Sequence, residues 1–490
     1  MLRFISHDDQ HSERPVKAVL MDKDDLVIPG VVERDAGQIV CQRSGDGAMA
    51  LSILHDTGEP GCMALRTCLL QQREAPYRLT VELARHRIAM FVFKAEEWAM
   101  TDLAADHPAM KAWDQARQLF TRAMVTTDDA EAERAGRESL SLAINASERL
   151  ATAHAEILIK RRFHSKPAPS TAIGVRVSPS HSGHTLQEIA KRHFRLIAIP
   201  LRWDKLCPQP GEYHWGPTDE WIAWAEDHGC KVLAGPLVDL GRHGLPGWVA
   251  SQAVSYEQLR DLAYDHVEQV VSRYGDHIGM WSLGTGIHTN RTLRLRPADM
   301  LDLVRTLALR IRQGHRGRRV ILELDELWGD YLYECGSGVS PTAFVEQVVQ
   351  AGVRLDAVGL RLQFGDSGAG RSVRDLMEIS RLLDRYVAID PPVLVTDIGV
   401  PAKPLEDAAG WWRTPWSEDV QGQWATRVMA IALSKPHISS VIWTDLYDHH
   451  DTQPPTAGML DDQGNARQVI KNVVGLRRRL SKPFGEVETA

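Results

Sequence analysis

From residue 172 to about 480 the chain repeats one unit eight times, a short β-rich run followed by a longer stretch with apolar residues at helical spacing. That alternation restricts the fold more than any other feature, because strands joined by helix-length connections are expected to lie parallel in one sheet covered by helices. The eight runs are Ile173–Val177, Arg195–Ile199, Val232–Leu237, Ile278–Leu283, Val320–Asp325, Ala357–Gln363, Val393–Asp397 and Ile438–Trp443. Eight of them fit a closed α/β (β/α)8 TIM barrel better than an open sheet, and in such a barrel chemistry gathers at the C-terminal strand ends.

A chain of 490 residues exceeds what one hydrophobic core usually serves, so further domains are expected upstream of the barrel. Residues 1–82 read as a small antiparallel, sandwich-like β domain. Its apolar runs are cut by Ile28-Pro29-Gly30, Ser44-Gly45-Asp46-Gly47 and Gly58-Glu59-Pro60-Gly61, and its clearest strands are Ala48–Leu54 and Met63–Leu70. Residues 83–164 change to helical spacing, with Leu83, Ile88 and Phe91, then Trp113, Leu119 and Phe120, then Leu140, Ile144, Leu150 and Ile157. Asp128-Asp129-Ala130-Glu131 supplies a start for the last of these helices. Residues 165–171 read as a Pro-containing linker, 172–480 as the barrel and 481–490 as a tail.

The formal charge of −7 and a pI near 6.3 give no electrostatic reason to expect nucleic acid or an anionic membrane as partner. The polar stretch Met1–Pro15 has no apolar core, and no run of about 18 apolar residues occurs, so a cytoplasmic location without membrane association is expected. Six cysteines (Cys41, Cys62, Cys68, Cys207, Cys230, Cys335) show neither disulfide-framework nor zinc-site spacing. No phosphate-binding glycine motif or HExxH is present, so no cofactor or metal is expected. Asp445, Asp448, His449, His450 and Asp451 near the eighth strand could in principle hold a metal, but adjacent histidines in a polar loop are more often solvated.

After the second strand the chain reads Leu201-Arg202-Trp203-Asp204-Lys205-Leu206-Cys207-Pro208-Gln209-Pro210-Gly211-Glu212-Tyr213-His214-Trp215, and later Leu245-Pro246-Gly247-Trp248-Val249. These resemble the P-x-x-G-x-[YF]-x-[WF] loop and the LPxWV segment of glycoside hydrolase family 10. Tyr274-Gly275 before Trp281, Val358-Gly359-Leu360, Val395-Thr396-Asp397 and Ile442-Trp443 match in order on strands four, six, seven and eight. The resemblance covers the barrel alone. It implies a carbohydrate-active, xylanase-like protein with an oligo- or polysaccharide partner of the β-1,4 xylan type.

Retaining glycosidases need two carboxylates about 5 Å apart, one to attack the anomeric carbon and one to protonate the leaving oxygen. The resemblance implies that Asp397 stands where the nucleophile would be, one methylene short of the family's Glu. At the acid position the family's Trp-Asp-x-x-Asn-Glu becomes Trp281-Ser282-Leu283-Gly284-Thr285-Gly286, with no carboxylate. His288, Glu323 and Asp325 are the candidate substitute acids. Arg202, Trp203, Trp281, Arg361, Gln363 and Trp443 are the candidate sugar-binding residues, although tryptophans at strand ends also close barrel cores. Trp411, Trp412 and Trp416 must either pack down or meet a ligand as a lid. Two functions follow as expectations: hydrolysis of O-glycosyl bonds by an altered site around Asp397, or glycan binding or scaffolding without chemistry. A third gives the N-terminal regions an assembly role.

Overall fold

The computed structural model describes residues 1–5, 17–43, 45, 47–241, 244–251, 254–313, 317–334 and 336–485. Cys335, Ser44 and Asp46 of one expected turn, most of Met1–Pro15 and the last five residues of the tail lie outside the described residues. The chain divides into two compact units, one made of Met1–Leu158, Phe364–Leu382 and Lys403–Val420, the other of Ile159–Gln363, Leu383–Ala402 and Gln421–Ala490.

The second unit is the barrel, and all eight expected strands are present. They are β1 (Ile173–Arg176), β2 (Leu196–Ile199), β3 (Lys231–Ala234), β4 (Met280–Thr285), β5 (Arg319–Leu324), β6 (Ala357–Gln363), β7 (Val393–Gly399) and β8 (Ile438–Trp443). Every neighbour pairs in parallel, β8 pairs with β1, and β3 pairs with β4, which closes the cylinder. Residues two apart on a strand share a face, so Leu196 and Ala198, Leu233, Ile321, Ala357, Leu394 and Ile442 meet in one buried cluster with Met280 against it. The intervening helices include Tyr256–Tyr274, whose start is fixed by a capping box between Ser255 and Gln258.

Among the described residues the first unit holds two sheets, three long helices from the N-terminal part of the chain and most of the helix Leu376–Asp384. One sheet orders Val31–Asp35, Gln38–Gln42, Leu2–Ile5 and Tyr77–Arg78; the other orders Trp411–Trp412, Gly61–Arg66, Ala50–Asp56, Ala18–Met21 and Val27–Ile28. The helices are Leu79–Glu97, Pro108–Val125 and Asp129–Arg162. Phe91, Ala95, Trp98, Ala109, Ala112, Ala146, Leu150 and Met377 share their buried core. Two stretches that follow β6 and β7 thus belong to this unit, and Trp411 pairs with Cys62 as an edge strand. Among the described residues no helix is long and apolar enough to cross a membrane.

Candidate functional site

Toward the C-terminal strand ends the barrel interior turns from apolar to charged. Glu323 follows Ile321 on the inward face of β5, and Arg361 stands two places beyond Gly359 on β6. Gly359 makes room for this polar layer, because a Cβ there would lie 2.8 Å from Glu323 Cγ and 2.8 Å from Thr396 Cγ2.

Asp397, only 1% exposed, sits between two arginines. Its Oδ2 is 3.0 Å from Arg176 Nη2 and 3.0 Å from Arg361 Nη2, while its Oδ1 has no hydrogen-bond partner among the described residues. Burial works against the charge of Arg361, but Asp397 and Glu323 hold it well above the usual value. Burial pushes the Glu323 carboxyl up, against the opposing pull of Arg361 and Arg176. Glu323 pairs across the sheet with Gly359, and Arg361 with Asp397. Glu323 and Asp397 thus share the field of the same two arginines.

The end of β4 is built differently. After β3 the chain resumes as a short strand, Val238–Asp239, that pairs with Gly284 and Thr285. Leu240 N–H donates to the Thr285 carbonyl at 3.0 Å, Gly241 N–H donates to Asp239 Oδ1 at 2.7 Å, and Thr292 Oγ1 lies 2.9 Å from the Leu240 carbonyl oxygen. Gly286 packs onto this strap with φ +70°, and a Cβ on it would come within 2.4 Å of the Gly241 nitrogen. Backbone occupies the space that a side chain at this position would need.

The substitute acids fare unevenly. His288 is 1% exposed, donates from Nε2 to the Asp325 carbonyl at 3.0 Å and rests edge-on to Tyr331; burial pulls its pKa down to about 4, so near neutral pH it has no proton to give beyond that bond. Asp325, two residues beyond Glu323, retains 23% side-chain exposure and adds to the negative field around Arg361. Among the sugar-binding candidates, Trp203, Trp281 and Trp443 are at most 2% exposed. Trp203 stacks on His266, and the indole N–H groups of Trp281 and Trp443 donate to Ile278 and Ala457 carbonyls. All three serve the core and present no open face. Gln363 donates to Thr444 and to the Gln453 carbonyl. Arg202 keeps 31% exposure and grips Asp204 at 2.7 Å. Trp412 and Trp416 are buried within the first unit, so the tryptophan cluster packs down.

Sequence reasoning missed Arg176 and Asp239 and weighed Asp445 only as a metal ligand. Arg176 carried a signal, being the one charged residue in the run Ile173–Val177. Asp445 is 6% exposed, burial pushes its carboxyl up, and His449 opposes that shift from 3.5 Å. Asp448 is taken by Arg467 at 2.6 Å and Asp451 by Lys205 at 3.1 Å.

The fold is a closed (β/α)8 barrel with ionisable residues gathered at the C-terminal strand ends, the end at which barrels of this fold carry their sites. The chain carries a glycosyl hydrolase family 10-like barrel: residues 164–293 match the model of Glycosyl hydrolase family 10. Endo-1,4-beta-xylanase B of Thermotoga neapolitana is 30% identical over 98 residues, 20% of this chain and 28% of that protein. Endo-1,4-beta-xylanase B of Humicola insolens is 27% identical over 168 residues, 32% of this chain and 42% of that protein. The matches thus span less than half the length of these curated relatives. Among solved structures, xylanase 10B from Thermotoga petrophila RKU-1 in complex with xylobiose superposes with TM-score 0.49 at 16% identity, covering 66% of this chain and 97% of that one.

Proposed function

We propose that this is a carbohydrate-active protein of the family 10 glycosidase type whose barrel mouth binds a β-linked, xylan-like glycan without the family's paired-glutamate cleavage. The observation that carries this reading is Gly286, where the acid would stand. Its positive φ and the 2.4 Å approach to Gly241 leave no room for any side chain. General acid catalysis contributes roughly 10²- to 10⁴-fold, and an unactivated sugar leaving group depends on it. Asp397 supports the same view, since two guanidiniums share its Oδ2 and draw density from the group that would have to attack. The half-exposed polar rim of Arg202, Asp239 and Asp325 offers hydrogen bonds to sugar hydroxyls.

One observation favours hydrolysis instead: Asp325 is partly open and, like Asp397, acts on the charge of Arg361, while Asp397 Oδ1 has no hydrogen-bond partner among the described residues. In that reading Asp325 delivers the proton and Asp397 acts as nucleophile or base. The test combines calorimetric binding with mass-spectrometric product analysis on xylo-oligosaccharides and xylan, using the native chain and Asp325→Asn. Binding without products in both supports the proposal. Products from the native chain that vanish in Asp325→Asn establish the hydrolytic reading, and neither binding nor products would remove xylan-like glycans altogether.

A further inference from the structure

The helix Leu79–Glu97 of the first unit carries large apolar side chains on a face open to solvent. Phe93 is 62% exposed and Val92 39%, and Ile88 and Ala89 are half-exposed. Residues three and four apart share one side of a helix, so these four form one contiguous stripe, with Arg85 at its N-terminal end and Glu96 at its C-terminal end. The other side of the same helix is already satisfied: Phe91 and Ala95 lie in the buried core, and Phe91 stacks on Trp113 at 5.5 Å. The stripe is therefore not the face that holds this helix in its own unit. At the Arg85 end it runs on to the helix Pro108–Val125, where Arg85 Nη2 lies 3.1 Å from Met124 Sδ, and Met124 and Val125 are 44% and 74% exposed. Single exposed apolar residues are ordinary, whereas a contiguous patch of them marks a contact surface.

The order of residues along the stripe says what fits it. Laid antiparallel against a second copy, with the two-fold axis between Met90 and Phe91, the stripe sets Arg85 against Glu96, Ile88 against Phe93 and Ala89 against Val92. Each pair then occurs twice, as an isologous contact requires. Arg85 keeps 37% side-chain exposure while paired with Glu82 at 2.9 Å, and Glu96 is exposed, so both charges are within reach of a partner. Parallel pairing would instead set Arg85 on Arg85 and Glu96 on Glu96. We propose that the exposed face of the helix Leu79–Glu97 is a self-association surface at which two copies of this chain pair antiparallel, with Phe93 as the apolar anchor and the Arg85–Glu96 pairs setting the direction. The N-terminal helical region thereby has an assembly role, and the inference stands independently of the glycan reading. One helix face lies at the small end of specific interfaces, so a dimer with a Kd of about 1–100 μM is expected.

Sedimentation velocity of the full native chain from about 1 to 200 μM measures the dimer. Beside it run Phe93→Glu, Glu96→Arg, Arg85→Glu and the double variant carrying both charge changes, each checked for an unchanged far-ultraviolet spectrum. The native chain is expected to pass from monomer to dimer within that range. Phe93→Glu, at a side chain already in solvent, should weaken the dimer by about tenfold or more. Glu96→Arg sets arginine against arginine at both ends and should weaken it by about fivefold, and the double variant, which rebuilds the pairs with their signs exchanged, should recover most of that loss. A native chain that stays monomeric throughout overturns the proposal, as does a dimer indifferent to Phe93→Glu. A double variant no better than the charge-changed singles overturns the antiparallel pairing and the proposal with it. Should Arg85→Glu fail to fold through the loss of its bond to Glu82, Phe93→Glu and Glu96→Arg decide: both must weaken the dimer, and either one without effect overturns the proposal.

Discussion

At the end of β7 a carboxylate is held between two guanidiniums, whereas at the end of β4 glycine lies against glycine. The resemblance to family 10 would put a retaining glycosidase's pair of acids at these two ends, and the two are built by different physical means. At β7 a charge is present and neutralised: Arg176 and Arg361 flank Asp397, with Glu323 in their field. At β4 Gly286 carries no side chain and the space beside it is filled by the strap Val238–Gly241. A neutralised charge can be freed by moving its partners. A volume filled by backbone cannot be reopened by one substitution, so the β4 end constrains function more firmly.

The largest expected effect comes from removing the charge at β7. Asp397→Ala leaves Arg176 and Arg361 buried without their shared partner and should destabilise the barrel by about 3–5 kcal/mol. Asp397→Asn, which keeps an acceptor, should cost less. Urea denaturation of both variants checks this, and a loss below about 1 kcal/mol for Asp397→Ala would show the arginines to be content with Glu323 alone.

Next in size is a pH effect near β4. His288 has its pKa drawn down to about 4 from an ordinary 6.5 by burial. A buried neutral histidine contributes stability that is fully present above pH 6.5 and is lost as pH falls toward the folded value, since the unfolded chain takes up the proton first. The loss by pH 4 amounts to about 3 kcal/mol at 1.36 kcal/mol per unit. His288→Gln should therefore flatten the decline in denaturation midpoint between pH 6.5 and 4; equal slopes in variant and native chain would mean that His288 is protonated in the fold, which would also revive it as an acid.

Much of this was legible in the sequence, for identifiable reasons. The barrel strands are short β-rich runs whose alternation with helices is a local signal. That position 286 is glycine and position 397 aspartate are single-letter facts. Contacts distant in sequence were not legible. Nothing in Asp397 itself announces Arg176, which lies more than two hundred residues away and reaches it only because β8 and β1 close the cylinder. The excursions after β6 and β7 read as ordinary loops, because their partners, Arg87, Glu148 and Cys62, belong to a separate part of the chain. The tryptophans misled as sugar platforms because residue type reports a large ring but not which way it faces; Trp203, Trp281 and Trp443 all turn into the core.

The smallest expected effect sharpens the comparison most directly. Arg202 follows β2, two strands from both β4 and β8, and keeps 31% exposure while gripping Asp204 at 2.7 Å and lying 3.8 Å from Asp451 beyond β8. A partly exposed pair of this kind contributes about 1 kcal/mol or less to stability, so Arg202→Ala should barely move the denaturation midpoint. Its donors also line the open rim, and xylo-oligosaccharide binding should weaken by about threefold to tenfold, roughly the worth of one hydrogen bond to a charged group. An affinity loss without a stability loss would place a sugar contact at the β2 end of the mouth, apart from the charged layer around Asp397. Unchanged affinity would shift recognition toward β5 to β8, leaving the charged half around Asp397 to serve both roles.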